Sequence, residues 1–168
     1  MKNLIVLVIM IIIMSCSKEK EEPSAFFLNV NVEFSVLNSK GDDLLNLETI
    51  DYYPIDSMKL YYLINNEKVE VQDFDPQIGG GGIFLITETN PHRISITTYA
   101  HGDEGLVNEE DGVKTGNSIA YLKLNNTDTD TIKTEWKAGD NYFYNSKVWY
   151  NGVLQEHPDL TFVIIKDR

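Results

Sequence analysis

Hydrophobic and polar residues alternate along the chain from residue 26 onward. Five apolar residues stand at every second position, with polar residues between them: Leu28, Val30, Val32, Phe34 and Val36. A period of two sends successive side chains to opposite sides of an extended strand. The pattern therefore predicts a half-buried strand over residues 26–36.

Turn-forming residues divide the rest of the chain into pairs of short strands. Asn65-Asn66, Thr89–His92 and Asn125–Asp130 each separate two apolar or β-branched segments. Asn151-Gly152 separates two more, and Asn-Gly is the strongest short-range signal for a hairpin. The sequence thus predicts four hairpins, followed by a continuous apolar strand at residues 161–165 that we expect at the centre of a sheet.

This spacing predicts an all-β fold of about nine short antiparallel strands. Short strands with frequent turns are typical of a β-sandwich, either immunoglobulin-like or transthyretin-like. A small barrel is the alternative. Residues 26–168 are about the length of one ordinary domain, so we expect a single β-sandwich domain there.

The N-terminus has a different pattern. A basic start at Lys2 precedes eleven apolar residues, 4–14, and then Ser15 and Cys16. An apolar segment of this length is typical of a secretory signal, whereas a membrane-spanning helix needs about 20 apolar residues. Residues 1–15 are therefore predicted to be a signal peptide.

Cys16 is the only cysteine in the chain. The stretch Ile13-Met14-Ser15-Cys16 resembles a lipobox, in which a diacylglyceryl group is added to the thiol and cleavage occurs just before the cysteine. The resemblance implies lipidation at Cys16 and a membrane anchor. A single cysteine also leaves the mature domain without a disulfide.

A charged segment follows the cysteine. Ser17-Lys18-Glu19-Lys20-Glu21-Glu22 is similar to the lysine-acidic stretch that directs Bacteroidetes lipoproteins to the exterior of the outer membrane. Such a composition also suits a solvated tether, which we assign to residues 16–25. Whether the tether directs surface or periplasmic display is left open by the residues themselves.

The whole arrangement resembles the small, uncharacterised lipoproteins of Bacteroidetes. Besides the leader, the stretches that carry the resemblance are 34–45, 127–133 and 147–152. None of them is a catalytic motif. The resemblance implies an outer-membrane location and an all-β domain, and it brings no known activity with it.

Charge and motifs exclude several classes of function. The net charge of −12 argues against nucleic acid as a partner, because phosphate binding needs a basic surface. The chain has no Gly-x-Ser-x-Gly elbow, no helical zinc motif and no free thiol for catalysis. We therefore expect no enzyme and no catalytic residues. Paired loop carboxylates of a glycan-processing enzyme are a distant alternative.

Two types of side chain point to ligands. Asn126, Asp128 and Asp130 present alternating oxygen atoms, as a calcium loop does, although no glycine stands at the sixth position and Lys137 replaces the final glutamate. Asp and Asn are also common in hairpin turns. Calcium is accordingly the only cofactor that the sequence suggests.

Aromatic residues give the stronger indication of a binding surface. Successive side chains on a strand face opposite ways, so one of Tyr61-Tyr62 and one of Trp149-Tyr150 must leave the core. Exposed rings stack on sugars or form protein interfaces, whereas cross-strand packing is the structural explanation. The candidate ligand surface is Tyr61, Tyr144 and Trp149.

Two short motifs resemble the acceptor site for O-glycosylation in Bacteroidetes. They are Asp56-Ser57-Met58 and Asp130-Thr131-Ile132. The resemblance implies that Ser57 and Thr131 lie on the outside of the domain.

Together these features predict a surface-exposed lipoprotein that acts as a non-catalytic binding module for a glycan, calcium or a protein. The alternative is an accessory or structural subunit of an outer-membrane complex without a ligand of its own. An exposed aromatic patch would favour the first, and an apolar edge strand the second.

Overall fold

The computed structural model describes residues 25–71, 82–98, 107–156 and 161–167. The predicted signal peptide, Cys16 and residues 16–24 of the predicted tether lie outside these ranges. Within them, no helix is long and apolar enough to span a membrane.

Strands dominate the described residues, and the one helical element there is a 3-10 turn at Ile55–Ser57. In chain order the strands are β1 (Phe27–Asn29), β2 (Asn31–Asn38), β3 (Lys59–Ile64), β4 (Glu67–Glu70), β5 (Ile83–Ile86), β6 (Arg93–Thr97), β7 (Asn108–Glu110), β8 (Val113–Lys123), β9 (Thr129–Gly139), β10 (Tyr142–Tyr150), β11 (Val153–Leu154) and β12 (Thr161–Lys166). The all-β prediction is confirmed.

The strands form two mixed sheets. The large sheet has eight strands, in the order β1-β10-β9-β8-β3-β4, with β11 beside β10 and β7 beside β8. The small sheet has four strands, in the order β12-β2-β6-β5. Each order has two free ends, so the sheets do not close, and the alternative of a small barrel is wrong.

One buried cluster takes side chains from both sheets. The small sheet contributes Val32, Phe34, Val36, Ile94, Ile96 and Phe162, and the large sheet contributes Leu60, Tyr62, Ala120, Leu122, Ile132, Val148 and Tyr150. The Phe34 ring stacks on Phe162 at 5.2 Å between centroids and meets Tyr150 edge-on at 5.4 Å. Burying a side chain of this size contributes about 1.5–3 kcal/mol. The core therefore defines an inner and an outer face for each sheet.

Tyr62 joins the two sheets by a hydrogen bond. Its hydroxyl donates to the carbonyl oxygen of Thr97 in β6 at 2.7 Å. Burial raises the pKa of Tyr62 to about 12, so the hydroxyl remains a donor at neutral pH. Because a buried polar group without a partner costs about 1–3 kcal/mol, this bond favours one alignment of β3 against β6.

The four predicted hairpins are confirmed. Asn65 and Asn66, with φ of 48° and 63°, turn β3 into β4, and Asn151 and Gly152, with φ of 48° and 82°, turn β10 into β11. Positive φ at both central residues is what a two-residue hairpin turn requires. The other two predicted hairpins are β5–β6 and β8–β9.

The predicted number of strands is wrong, and the antiparallel prediction fails for two of the strand pairs while the others are antiparallel. Twelve strands occupy the described residues, and β1–β10 and β2–β12 are parallel pairs. Parallel neighbours need a long connection, and β2 and β12 come from opposite ends of the domain. No local pattern marks such a pairing.

The predicted strand over residues 26–36 is two strands that belong to different sheets. The chain crosses between sheets at Val30, whose carbonyl oxygen accepts a hydrogen bond from the Thr98 N–H at 3.1 Å. Phe27 and Leu28 are exposed on β1, whereas Val32 is buried on β2. The apolar alternation continues through the crossing, so it gave no sign of a break.

The last strand is an edge strand and not a central one. β12 ends the order of the small sheet, and only Phe162 of its apolar residues is buried. Val163 and Ile165 are 52% and 57% exposed. A short apolar run does not by itself distinguish a buried strand from an exposed one.

Candidate ligand-binding face

The outer face of the large sheet is the side turned away from the core. Directly opposed residues of paired strands point to the same side, so the registers fix its composition. Its cross-strand rows are Glu70–Tyr61–Tyr121–Thr131, Ile119–Lys133–Trp149–Leu154, Asn117–Glu135–Lys147 and Thr115–Lys137–Tyr144. All three rings of the predicted aromatic surface therefore lie on one face.

The expected division of the two aromatic pairs is confirmed. Tyr62 and Tyr150 are buried, while Tyr61 and Trp149 are half-buried on the outer face. Three strand spacings and a two-residue offset separate these two outer residues, which places their backbones roughly 15 Å apart. Tyr61 and Trp149 are thus too far apart to contact the same sugar ring, but both could contact one extended ligand.

Tyr144 lies at the other end of β10, beyond a register shift between Asn145 and Lys147. Its ring centroid is 5.6 Å from Tyr142 and 6.2 Å from Phe27 of β1. The aromatic surface therefore continues from Trp149 toward the first described strand, next to the predicted tether.

Tyr121 stands opposite Tyr61 on β8 and was not among the residues predicted for the ligand surface. The Lys68 ammonium lies 3.6 Å from the centre of the Tyr121 ring, and the Lys133 ammonium lies 5.1 Å from that of Trp149. Ammonium groups are attracted to ring faces in this way. Only the β3–β8 register reveals the Tyr61–Tyr121 pair, and no local pattern contains it.

Basic residues also collect on the outer face. Counted over the described strands, it carries six lysines and three glutamates, whereas the chain as a whole has 14 Lys and Arg and 26 Asp and Glu residues. The lysines are Lys59, Lys68, Lys123, Lys133, Lys137 and Lys147, and the acids are Glu70, Glu110 and Glu135. This face is locally positive on an acidic protein.

Two of the glutamates are held by their neighbours. The Lys59 ammonium donates to Glu70 at 2.7 Å and holds the pKa of that carboxyl below its usual range. The Ser146 hydroxyl donates to Glu135 at 2.8 Å and is the main cause that lowers its pKa. Both carboxylates therefore remain charged and hold nearby lysines in place.

The outer face is one side of an open sheet. Two grooves in the described part of the chain lie elsewhere: one beside the loop at residues 38–51, and one of about 610 Å³ at the small sheet, near Arg93 and Phe162. Small-molecule sites are usually concave. A sheet face with well-separated rings, away from both grooves, instead suits a polymer or another large surface.

Two of the three predicted calcium ligands meet at a partly buried ion cluster. The Lys166 ammonium of β12 lies 2.9 Å from Asp128 Oδ1 and 2.7 Å from Asp130 Oδ2. The Tyr53 hydroxyl donates to Asp128 at 2.6 Å, and the Tyr150 hydroxyl donates to Asp130 at 2.6 Å. This cluster ties the end of the small sheet to the large sheet.

Lys166 occupies the position that a cation would need between the two carboxylates. Asn126, the third predicted ligand, is exposed in the turn. Across the described ranges, no group of three or more His, Cys, Asp or Glu side chains could hold a metal ion. A calcium site at Asn126, Asp128 and Asp130 stays a prediction, and it would require Lys166 to move away.

The two predicted O-glycosylation sites differ in their surroundings. Ser57 is exposed in the 3-10 turn, where its hydroxyl donates to the Pro54 carbonyl at 2.8 Å. Thr131 is half-buried on the outer face, opposite Tyr121. A glycan on Thr131 would cover part of the aromatic surface, so modification there and ligand binding would compete.

Family models, curated proteins and solved structures were all compared with the chain, and none of them matches it.

Replacing Lys166 tests the role of the ion cluster. Lys166→Met should lower the free energy of unfolding by about 3–5 kcal/mol, because it leaves two partly buried carboxylates facing each other. Adding Asp130→Asn should recover part of the loss. Urea denaturation measures both, and Lys40→Met, in an exposed turn, is the matched control that should change stability by less than about 0.5 kcal/mol. An equal effect of both lysine variants would contradict this role.

Proposed function

We propose that this chain is a surface-exposed outer-membrane lipoprotein whose domain is a non-catalytic binding module, and that its ligand is a glycan held across the outer face of the large sheet. The observation that carries the proposal is the presence of Tyr61, Tyr121, Trp149 and Tyr144 on one face of the large sheet.

The chemistry of these rings supports a sugar ligand. Aromatic faces pack against the C–H groups of sugar rings, and Tyr and Trp add a polar edge that can hydrogen-bond a hydroxyl. All four rings are half-buried on their strands, so part of their side-chain entropy is already lost before binding. Rings roughly 15 Å apart suit several sugar units of one chain rather than a monosaccharide.

The fold proposal is a β-sandwich. It is supported by two open sheets that contribute to one core through Phe34, Tyr150 and Phe162. The proposed sandwich is either immunoglobulin-like or transthyretin-like. A core shared by two sheets is compatible with both arrangements.

The anchor proposal rests on the leader and Cys16. A lipidated Cys16 would stand eleven residues before β1, which begins at Phe27 beside β10. Such a tether would hold the domain close to the membrane through the edge strand β1, which lies beside the strand that carries Tyr144.

One observation favours the alternative of an accessory or structural subunit. Val163 and Ile165 are exposed on β12, an edge strand of the small sheet. An exposed apolar edge is a common site for strand pairing with a partner. In that case, substitutions in β12 would abolish binding of the partner protein and would leave glycan binding unaffected.

Trp149→Ala tests the binding face. We expect at least about a tenfold loss of affinity for any glycan that the full chain binds in a polysaccharide panel, because about 1.4 kcal/mol of ring contact corresponds to a factor of ten. Affinity electrophoresis measures the loss. Val163→Ala, on the other sheet, is the control and should bind normally. Failure of every glycan to bind, or an effect of Val163→Ala alone, would contradict the proposal.

Cys16→Ala tests the anchor. The substitution removes the thiol that would carry the acyl chains, and at about 0.8 kcal/mol per buried CH₂ those chains supply the membrane affinity. We expect the protein to move from the membrane to the soluble fraction on cell fractionation. Ser15→Ala, which keeps a small residue before the cysteine, should leave it in the membrane. Retention of the Cys16→Ala protein would refute lipid anchoring.

A further inference from the structure

We infer that the ligand of the outer face is an acidic polysaccharide, which carries carboxylate or sulfate groups along its chain. This inference rests on the proposed function, since it names the class of glycan that the same face would bind. The observation behind it is that lysines share the face with the aromatic rings. Stacking of a sugar on the rings does not require these lysines.

The distribution of charge is the first argument. On a chain with a net charge of −12, six lysines and three glutamates share one face with the aromatic rings. Neutral glycans need no such charge. A positive surface on an acidic protein attracts an anion locally, while the rest of the molecule repels it. A ligand with negative charge would therefore bind on this face and not elsewhere.

The pairing of two lysines is the second argument. Lys59 and Lys123 are directly opposed on β3 and β8, an arrangement that destabilises a sheet. Glu70 offsets part of the repulsion through its 2.7 Å contact with Lys59. Departures from local rules of stability are expected where a protein binds its ligand. An anionic group of the ligand beside Lys123 would offset the rest of the repulsion between the two ammonium groups.

The position of Lys133 is the third argument. Its ammonium rests 5.1 Å from the centre of the Trp149 ring, and the side chain is exposed. A sugar that stacks on the indole would displace this flexible side chain. The displaced ammonium would then lie beside the sugar, where it can pair with a carboxylate or sulfate on the same unit.

Nucleic acid and anionic membrane are the other polyanions to consider. The dense phosphates of nucleic acid call for a strongly basic domain, and this face offsets half of its lysines with glutamates. The spacing of roughly 15 Å between Tyr61 and Trp149 along the sheet also fits a stiff sugar chain better than a lipid surface. The acidic polysaccharide is therefore the ligand expected on this face, and binding of nucleic acid or membrane is an outcome of the test.

Two matched pairs of polymers test the charge directly. The full chain, purified in detergent, is titrated with dextran sulfate and dextran, and with polygalacturonate and its methyl ester. Each pair differs only in its anionic groups, and the two pairs separate sulfate from carboxylate. We expect at least one charged member to bind at least about tenfold more tightly than its neutral partner, and its affinity to fall as salt is raised.

Lysine variants test whether the preference for the charged polymer arises at the outer face of the large sheet. Lys133→Gln and Lys137→Gln, both on β9, should each weaken binding of the charged polymer by up to about fivefold, as loss of an exposed ion pair does. Lys40→Gln removes the same charge from a turn outside the face and should leave binding unchanged. Unchanged urea midpoints confirm that the variants are folded.

Each result has a distinct meaning. If neutral polymers bind as tightly as charged ones through Trp149, the acidic-ligand inference is overturned and the proposed function stands. If no polysaccharide binds, both fail. If single-stranded DNA or phosphatidylglycerol vesicles bind more tightly than either charged polymer and through the same lysines, the inference is overturned in favour of that partner.

Discussion

The core shared by the two sheets determines which side of every strand is available for binding. Phe34, Phe162 and Tyr150 pack together at its centre, and Tyr62 adds a hydrogen bond between the sheets. With no disulfide possible in a domain that follows its only cysteine, these contacts and the Lys166 ion cluster hold the sheets together. The outer face of the large sheet is what this arrangement leaves exposed.

The local turns were predictable from sequence because their chemistry is local. Asn65-Asn66 and Asn151-Gly152 adopt the positive φ values that two-residue hairpins require, and the hairpins form where the sequence places them. The parallel pairs β1–β10 and β2–β12 were not predictable, since each joins strands from distant parts of the chain. Long-range pairing leaves no periodic signal in a single sequence.

The candidate site was predictable only in part, for the same reason. Alternation along one strand showed that Tyr61 and Trp149 would leave the core if their neighbours entered it. Tyr121 and the lysines required the register between strands. The net charge did not indicate a positive face, because a sum over the whole chain contains no information about where the charges lie.

The ion cluster shows how a ligand pattern can have a structural use. Asp128 and Asp130 have the spacing of calcium ligands, yet a lysine from the other sheet takes the place between them. Two hydroxyl groups complete the cluster. The sequence held both carboxylates and Lys166 but gave no indication that they would meet.

The most direct test of the account is to map where an acidic oligosaccharide binds on the folded chain. Backbone amide shifts in nuclear magnetic resonance would report it residue by residue, recorded in one titration with oligogalacturonate and in a second with a dextran sulfate oligosaccharide. The account predicts that the largest shifts fall on β3, β8, β9 and β10, around Tyr61, Lys133 and Trp149. Shifts centred on β2 and β12 of the small sheet, or no shifts at all, would contradict it.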